Sequence, residues 1–404
     1  MGRIAVGSRV ETLLAELVSR AGRDNPYPVY AALRRESPVA RATDGSLLLT
    51  RFVDCSAALR DPHIGHGDPA MAEHVAGVTD WREHLSLRQF RSSMLSLDPP
   101  VHTRLRRLVS GAFTARRVAG MLPVIERITA DLMDKLPPEP DFIADFAFPL
   151  PMAVIGELLG VPRSDQSGFQ HLAREWTQVL DVTTPRILAR ADGAASEIRG
   201  YLAQLAQERR RSPRADLLSA LLQAEGAERL TEDELLTMTA LLFAAGFETA
   251  THLLGNGLVA LLHHPDQLEC WRRTPQLSPG AVEELLRFDS SVQIARRVVL
   301  RDTVIAGVRV TAGQRITVCL GAANRDPERF SAPDRLNLAR SDGGSMSFGG
   351  GIHYCLGAPL ARLEGQVAFP ALIDRFPQLT LGEPRHRRVS LTVRGFLRLP
   401  VSLA

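Results

Sequence analysis

The chain has 404 residues, a formal net charge of +3 and a hydrophobic content of 45%. A charge that small, spread along the chain, gives no basic face for nucleic acid, while the apolar fraction is ample for a sizeable core. Cys55, Cys270, Cys319 and Cys355 form no C-x-x-C pair and suit neither a zinc site nor a small disulfide framework, a usage that fits a reducing compartment.

The N-terminal stretch is broken by Arg3, Arg9, Glu11 and Glu16 and does not read as a signal peptide. Nowhere is there an uncharged apolar run of about 18 residues, so no membrane anchor is expected. Periodicity predicts a helix over 28–36, a strand over 47–50 and a helix over 54–60. Residues 62–97 read as irregular. Helices follow over about 100–110, 118–136, 149–159, 164–181, 186–209 and 214–224. The clearest runs over 232–263, opened by a Thr231/Glu234 capping box and stopped by Pro265. At 1.5 Å per residue it would be about 48 Å long. Ser278 and Pro279 open another helix, serine as N-cap, to about residue 288. Between 292 and 320 the pattern turns strand-like, and short strands return over 378–382 and 390–401. The fold class is therefore mainly α with a small β lobe. No linker divides it, so one domain is expected over 1–404. Its helix-rich body spans about 62–290 and 350–375, and its sheet lobe about 38–60, 292–320 and 378–404.

Several clusters carry chemistry. Phe348-Gly349-Gly350-Gly351-Ile352-His353-Tyr354-Cys355-Leu356-Gly357 places a cysteine behind three glycines at the mouth of a helix beginning at Ala358. Backbone without side chains can lie against a large planar ligand, and the positive helix end favours the thiolate. Pro370 is expected to kink or end that helix. Ala245-Gly246-Phe247-Glu248-Thr249 sets a glycine, a carboxylate and a hydroxyl in the middle of the long apolar helix; a packing site for a crossing helix is one reading and a local opening another. Glu284 and Arg287 share a helix face at i and i+3.

The ten-residue stretch matches F-G-x-G-x-H-x-C-x-G without a mismatch and resembles the haem-thiolate signature of the cytochrome P-450 monooxygenases, soluble bacterial type. The resemblance runs from about residue 24 to the C-terminus. It implies a helical prism around a buried haem b, with Cys355 as the iron ligand and Phe348, Gly349, Gly357 and Ala245 beside the cofactor. His102, Arg106, Arg297 and His353 resemble the family's propionate partners, with Arg296 an alternative to Arg297. Glu248 and Thr249 resemble its proton-delivery pair. Glu284 and Arg287 resemble its structural E-x-x-R, with Arg325 expected to complete the charge network at Glu284. Family topology points to Leu241, Leu242, Val292, Ile294, Phe396 and the segment 62–97 as substrate-facing, and to Arg104, Arg107, Arg116, Arg117 and Arg362 as a docking patch. The implied activity is insertion of one atom of O2 into a lipophilic small molecule in secondary metabolism. Electrons would come from a ferredoxin and its reductase in the cytoplasm. A peroxide-driven peroxygenase and a non-catalytic haem-binding recruitment protein are the rivals, against which the intact Glu248 and Thr249 argue.

Overall fold

The computed structural model describes residues 8–68, 78–180, 184–223 and 229–403. Of the segment 62–97, residues 69–77 therefore lie outside the described residues, as does the last residue of each helix predicted over 164–181 and 214–224; the rest is not irregular throughout, since Leu85–Arg91 forms a helix and Ile64–Gly65 a strand. The chain sorts into two compact units. One comprises Met1–His66, Thr129–Ala147 and Thr249–Ala404; the other comprises Gly67–Ile128 and Phe148–Glu248.

Among the described residues, every strand lies in the first unit. In chain order these are β1 (Val39–Arg41), β2 (Leu47–Leu49), β3 (Ile64–Gly65), β4 (Ile294–Val299), β5 (Thr303–Ile305), β6 (Val308–Val310), β7 (Arg315–Cys319), β8 (Thr380–Leu381), β9 (His386–Arg387), β10 (Phe396–Arg398) and β11 (Val401–Ser402). Five form one sheet in the order β1-β2-β7-β4-β3; the others pair off as β5-β6, β8-β11 and β9-β10. β2 and β7 run parallel and the other pairs antiparallel. Val39, Leu47, Leu49, Ile316 and Val318 bury one core under the sheet, and Tyr30, Leu33, Ile294 and Ala322 a second.

The helices follow the periodicity closely, with four informative differences. The predicted helix at 118–136 is interrupted: Ala115–Ala119 is followed by Leu122–Met133. Pro265 does not merely stop the long helix (Glu232–Leu262) but opens another, Pro265–Arg273, because proline's fixed φ and missing N–H suit the first turn. Ser278 is not an N-cap: a 3-10 turn over Pro275–Leu277 leads straight into the helix Ser278–Phe288, and Ser278 already has helical φ/ψ. Pro370 does not end its helix, which continues from Ala358 to Arg375.

In the second unit the long helix starts as expected. Thr231 Oγ1 accepts from the Glu234 N–H at 3.2 Å, and Glu234 Oε2 accepts from the Thr231 N–H at 2.9 Å. A Cβ built on Gly246 would meet Ile155 Cγ1 at 2.8 Å. The crossing-helix reading of this glycine is therefore supported, the partner being helix Pro149–Leu159. The helix is uninterrupted through 245–249.

Candidate active site

The cysteine loop is held by its own backbone first. The Cys355 N–H donates to the Phe348 carbonyl at 3.0 Å, closing the loop into a tight ring. Two of the three glycines are demanded by geometry. Gly351 has φ +64°, and a Cβ on it would fall 2.0 Å from the Leu59 carbonyl oxygen; only glycine lets the loop lie so close to helix Phe52–Arg60. Gly349 has φ +71° with open space where its Cβ would be. Cys355 is exposed, and Gly357 is the N-cap position of the 18-residue helix that follows. A Cβ on Gly357 would lie only 3.9 Å from the Cys355 sulfur. The sulfur therefore sits at the positive end of the helix dipole.

The loop is fixed from below by a buried polar network. Glu284 and Arg287 are bidentate, with Arg287 Nε donating to Oε2 at 2.6 Å and its other terminal nitrogen to Oε1 at 2.9 Å. Arg287 also donates to the carbonyls of Asn324 at 2.7 Å and Pro333 at 2.8 Å. Asn324 passes the constraint on: its amide nitrogen donates to Ser290 and Ser347, and its oxygen accepts from the Met346 N–H at 2.6 Å. Met346 and Ser347 directly precede Phe348, so the E-x-x-R pair reaches the cysteine loop through Asn324.

The arginine that completes this network is Arg340, not Arg325. Arg340 Nε donates to Glu284 Oε2 at 2.9 Å. Arg325 instead donates to the Phe288 carbonyl at 2.6 Å and to Asp334 at 3.0 Å, with its guanidinium 4.1 Å from the ring centres of both Tyr27 and Phe288. It anchors the end of the helix that carries Glu284 without reaching the carboxylate. Sequence reasoning missed Arg340, Asn324, Ser290 and Ser347. Only Asn324 had a signal, as the neighbour of Arg325 in sequence.

Other predicted residues of the first unit sort as follows. His353 lies in a 3-10 turn and meets His66 edge to face at 4.7 Å. Phe348 is half-buried and carries the Arg362 guanidinium 4.6 Å above its ring. On β4, alternation leaves Arg296 exposed and Arg297 half-buried. Val292 is half-buried and bridges to Val393. Thr249 is half-buried. Ile294 and Phe396 are buried against other parts of the protein. Ile294 is 3% exposed inside the core with Tyr30 and Leu33, and Phe396 is 3% exposed with the Arg387 guanidinium 4.0 Å from its ring centre. Strand alternation at Ile294 and a stacking partner distant in sequence at Phe396 consume both side chains.

In the second unit, Leu241 and Leu242 are buried on the long helix, whereas Ala245 is exposed and Glu248 half-buried. Positions 241, 245 and 248 share a face, so the small side chain at Ala245 opens that face beside apolar neighbours. His102 and Arg106 sit one turn apart on helix Val101–Ala112. His102 is buried, and burial, followed by the Arg106 charge, pulls its pKa below the usual histidine value despite Asp98. Of the predicted docking arginines, Arg104 is paired with Glu234 in this unit and Arg362 with Glu283 in the first.

The residues present fit a haem: a soft sulfur donor at a helix mouth, side-chain-free backbone beside it at Gly349, and cationic or imidazole side chains of the kind that meet propionates. Among the described residues no single helix is long and apolar enough to cross a membrane.

Comparison with known proteins bears on the same features. The family model "Cytochrome P450" matches residues 164–272 and 277–401. Cytochrome P450 107B1 of Saccharopolyspora erythraea is 44% identical, the alignment covering 94% of each chain. The 6-deoxyerythronolide B hydroxylase of the same organism is 38% identical over 97% of this chain and 99% of its own. Among solved structures, P450BioI in complex with an acyl carrier protein bearing hexadec-9Z-enoic acid superposes with a TM-score of 0.88 at 34% identity, over 95% of this chain and all of that one. With the signature loop, the helical fold and these relatives in agreement, the chain belongs to the cytochrome P450 family: it is a haem-thiolate monooxygenase that carries haem b.

Proposed function

We propose that the Cys355 thiolate would hold the haem iron and that this chain hydroxylates or epoxidises a lipophilic polyketide-like or carrier-bound acyl substrate as a single cytoplasmic domain. The observation that carries this reading is the Cys355 loop itself, tied to Phe348 and supported through Asn324 by the buried Glu284–Arg287–Arg340 cluster. Haem, when bound, supplies the centre at which dioxygen is reduced and its O–O bond cleaved. The Glu248 carboxylate and the Thr249 hydroxyl hold and relay protons there. His102, Arg106, Arg297 and His353 neutralise the propionates. The half-buried position of Arg297, beside an exposed Arg296, favours Arg297 for that role. Leu241, Leu242 and Val292 turn apolar surface towards substrate.

The relatives' names support the substrate class: one is a 6-deoxyerythronolide B hydroxylase, another a polyketide biosynthesis cytochrome P450 of Bacillus subtilis. Electrons come from a separate redox partner, a ferredoxin with its reductase.

The first test is the absorption spectrum of the dithionite-reduced protein under carbon monoxide. A strongly red-shifted Soret band, lost in Cys355→His, is expected. A band typical of histidine-ligated haem in the fresh parent protein would remove Cys355 from its role. Turnover with a ferredoxin system but not with peroxide alone is expected next, and the reverse would favour peroxygenase chemistry.

A further inference from the structure

We infer that a solvent-open cleft in the second compact unit is a binding site for the phosphate group of a small organic phosphate ester. The cleft has a volume of about 550 Å³ and is lined by Arg82, Arg88, Arg91 and Arg199, with Trp81, Gln89 and Asp233 among the rest of its wall. Its size is that of a small-molecule pocket, too small for a polynucleotide.

Arg82, Arg88, Arg91 and Arg199 gather positive charge at the cleft, offset by Asp233 on Arg199 and by Asp98 and Asp68 near Arg91, and several are held in place. Arg88 donates through one terminal nitrogen to the Arg82 carbonyl at 2.8 Å. Arg91 donates to the carbonyls of Gly67 at 3.1 Å and Ser96 at 3.3 Å. Arg199 pairs with Asp233 at 2.6 Å, and the Arg82 guanidinium lies 4.6 Å from the Trp81 ring centre. Each guanidinium carries five N–H donors in a fixed fork, so Arg88 keeps most of its donors for a ligand. The exposed Arg82 and Arg88 bring donors to the cleft beyond those that Asp233 accepts from Arg199. A phosphate ester, with several charged oxygens, matches that supply and the bidentate geometry.

An independent observation points the same way. Gln89 is 3% exposed, lines the cleft, and neither its amide nitrogen nor its oxygen has a hydrogen-bond partner among the described residues. A buried amide left in that state is costly. Turned into the cleft, the amide would donate from its nitrogen to a phosphate oxygen and accept at its oxygen from a hydroxyl or N–H of the attached organic part. Trp81 supplies an apolar wall for that organic part.

The test is calorimetric titration of the intact holoenzyme with 4′-phosphopantetheine, pantetheine and inorganic phosphate, at low and high salt. Phosphopantetheine is expected to bind and pantetheine not to, with affinity falling as salt rises. Arg88→Glu should weaken binding at least tenfold and Arg88→Lys less, and Gln89→Leu should weaken it severalfold; the haem spectrum and far-UV circular dichroism should be unchanged. Inorganic phosphate competing at similar concentration would mark a free phosphate ester as the ligand. Phosphopantetheine binding far more tightly than phosphate would mark a carrier's prosthetic arm. Equal binding of phosphopantetheine and pantetheine, or indifference to both Arg88→Glu and Gln89→Leu, would overturn the assignment. None of these outcomes depends on haem chemistry.

Discussion

Arg340→Met separates the observed charge network from the one the sequence suggested. Arg340 has a side chain 6% exposed against a Glu284 side chain 1% exposed. Glu284 accepts four bonds: two from Arg287, one from Arg340 and one from the Asn337 N–H at 2.9 Å. Removing Arg340 deletes one charge-assisted bond, about 1.5–3 kcal/mol. Its contacts to Ser331 and to the more exposed Asp342 add less. Glu284 stays paired with Arg287, so the full cost of an abandoned buried charge, about 3–5 kcal/mol, should not appear. We expect a loss of about 2–4 kcal/mol for Arg340→Met. In a double-mutant cycle with Glu284→Gln, the coupling should be about 1.5–3 kcal/mol. The same cycle with Arg325→Met should give a coupling within about 0.5 kcal/mol of zero, since the two side chains share no bond. Urea unfolding of the holoenzyme, followed by far-UV circular dichroism at matched m-values, measures all four corners. A negligible Arg340 coupling, or an equal one at Arg325, would refute the argument.

Three further outcomes follow from the site. Gly351→Ala puts a Cβ into the Leu59 carbonyl at a left-handed φ, so we expect a loss of at least about 2 kcal/mol and faster haem release, read by Soret decay; a variant that keeps its haem as the parent does would contradict the clash. Glu364 is buried on the cysteine helix with no hydrogen-bond partner among the described residues, and burial pushes its carboxyl up to about 8. The folded state therefore keeps a proton that the unfolded chain releases near its ordinary value of about 4.3, so stability present below that pH is lost as pH rises towards 8. Glu364→Gln should flatten this slope, with its Tm overtaking the parent's between pH 5 and 9; parallel Tm curves would show that Glu364 does not titrate in that range. Thr249→Val should leave the reduced carbon monoxide spectrum intact while diverting oxygen consumption from product to peroxide, and unchanged product per O2 would remove Thr249 from proton delivery.

The difference between Arg325 and Arg340 shows what kind of information the sequence held. Glu284 and Arg287 were legible because their relation is local: i,i+3 on a helix fixes the geometry before any tertiary contact forms. The Thr231/Glu234 capping box and the glycine loop were legible for the same reason, each being complete within ten residues. Arg340 stands 56 positions from Glu284, and several arginines in that stretch had the same chemistry. Which one reaches the carboxylate depends on how the chain from Asn324 to Met346 folds back, and no periodicity encodes that path. Arg325 loses because its guanidinium is already held between two aromatic rings and by the Phe288 carbonyl. The same reasoning accounts for Ile294 and Phe396. Strand propensity placed both segments correctly, but a strand has two faces, and the face each side chain takes is set by partners brought in from residues 30–33 and from Arg387. The Ser278 cap gave way to the 3-10 turn that precedes it, whereas the Glu284–Arg287 pair, the Thr231/Glu234 box and the glycine loop read true from the sequence. Residues whose role is defined by a partner dozens of positions away do not, and the buried cluster that holds the Cys355 loop is built mostly of the second kind.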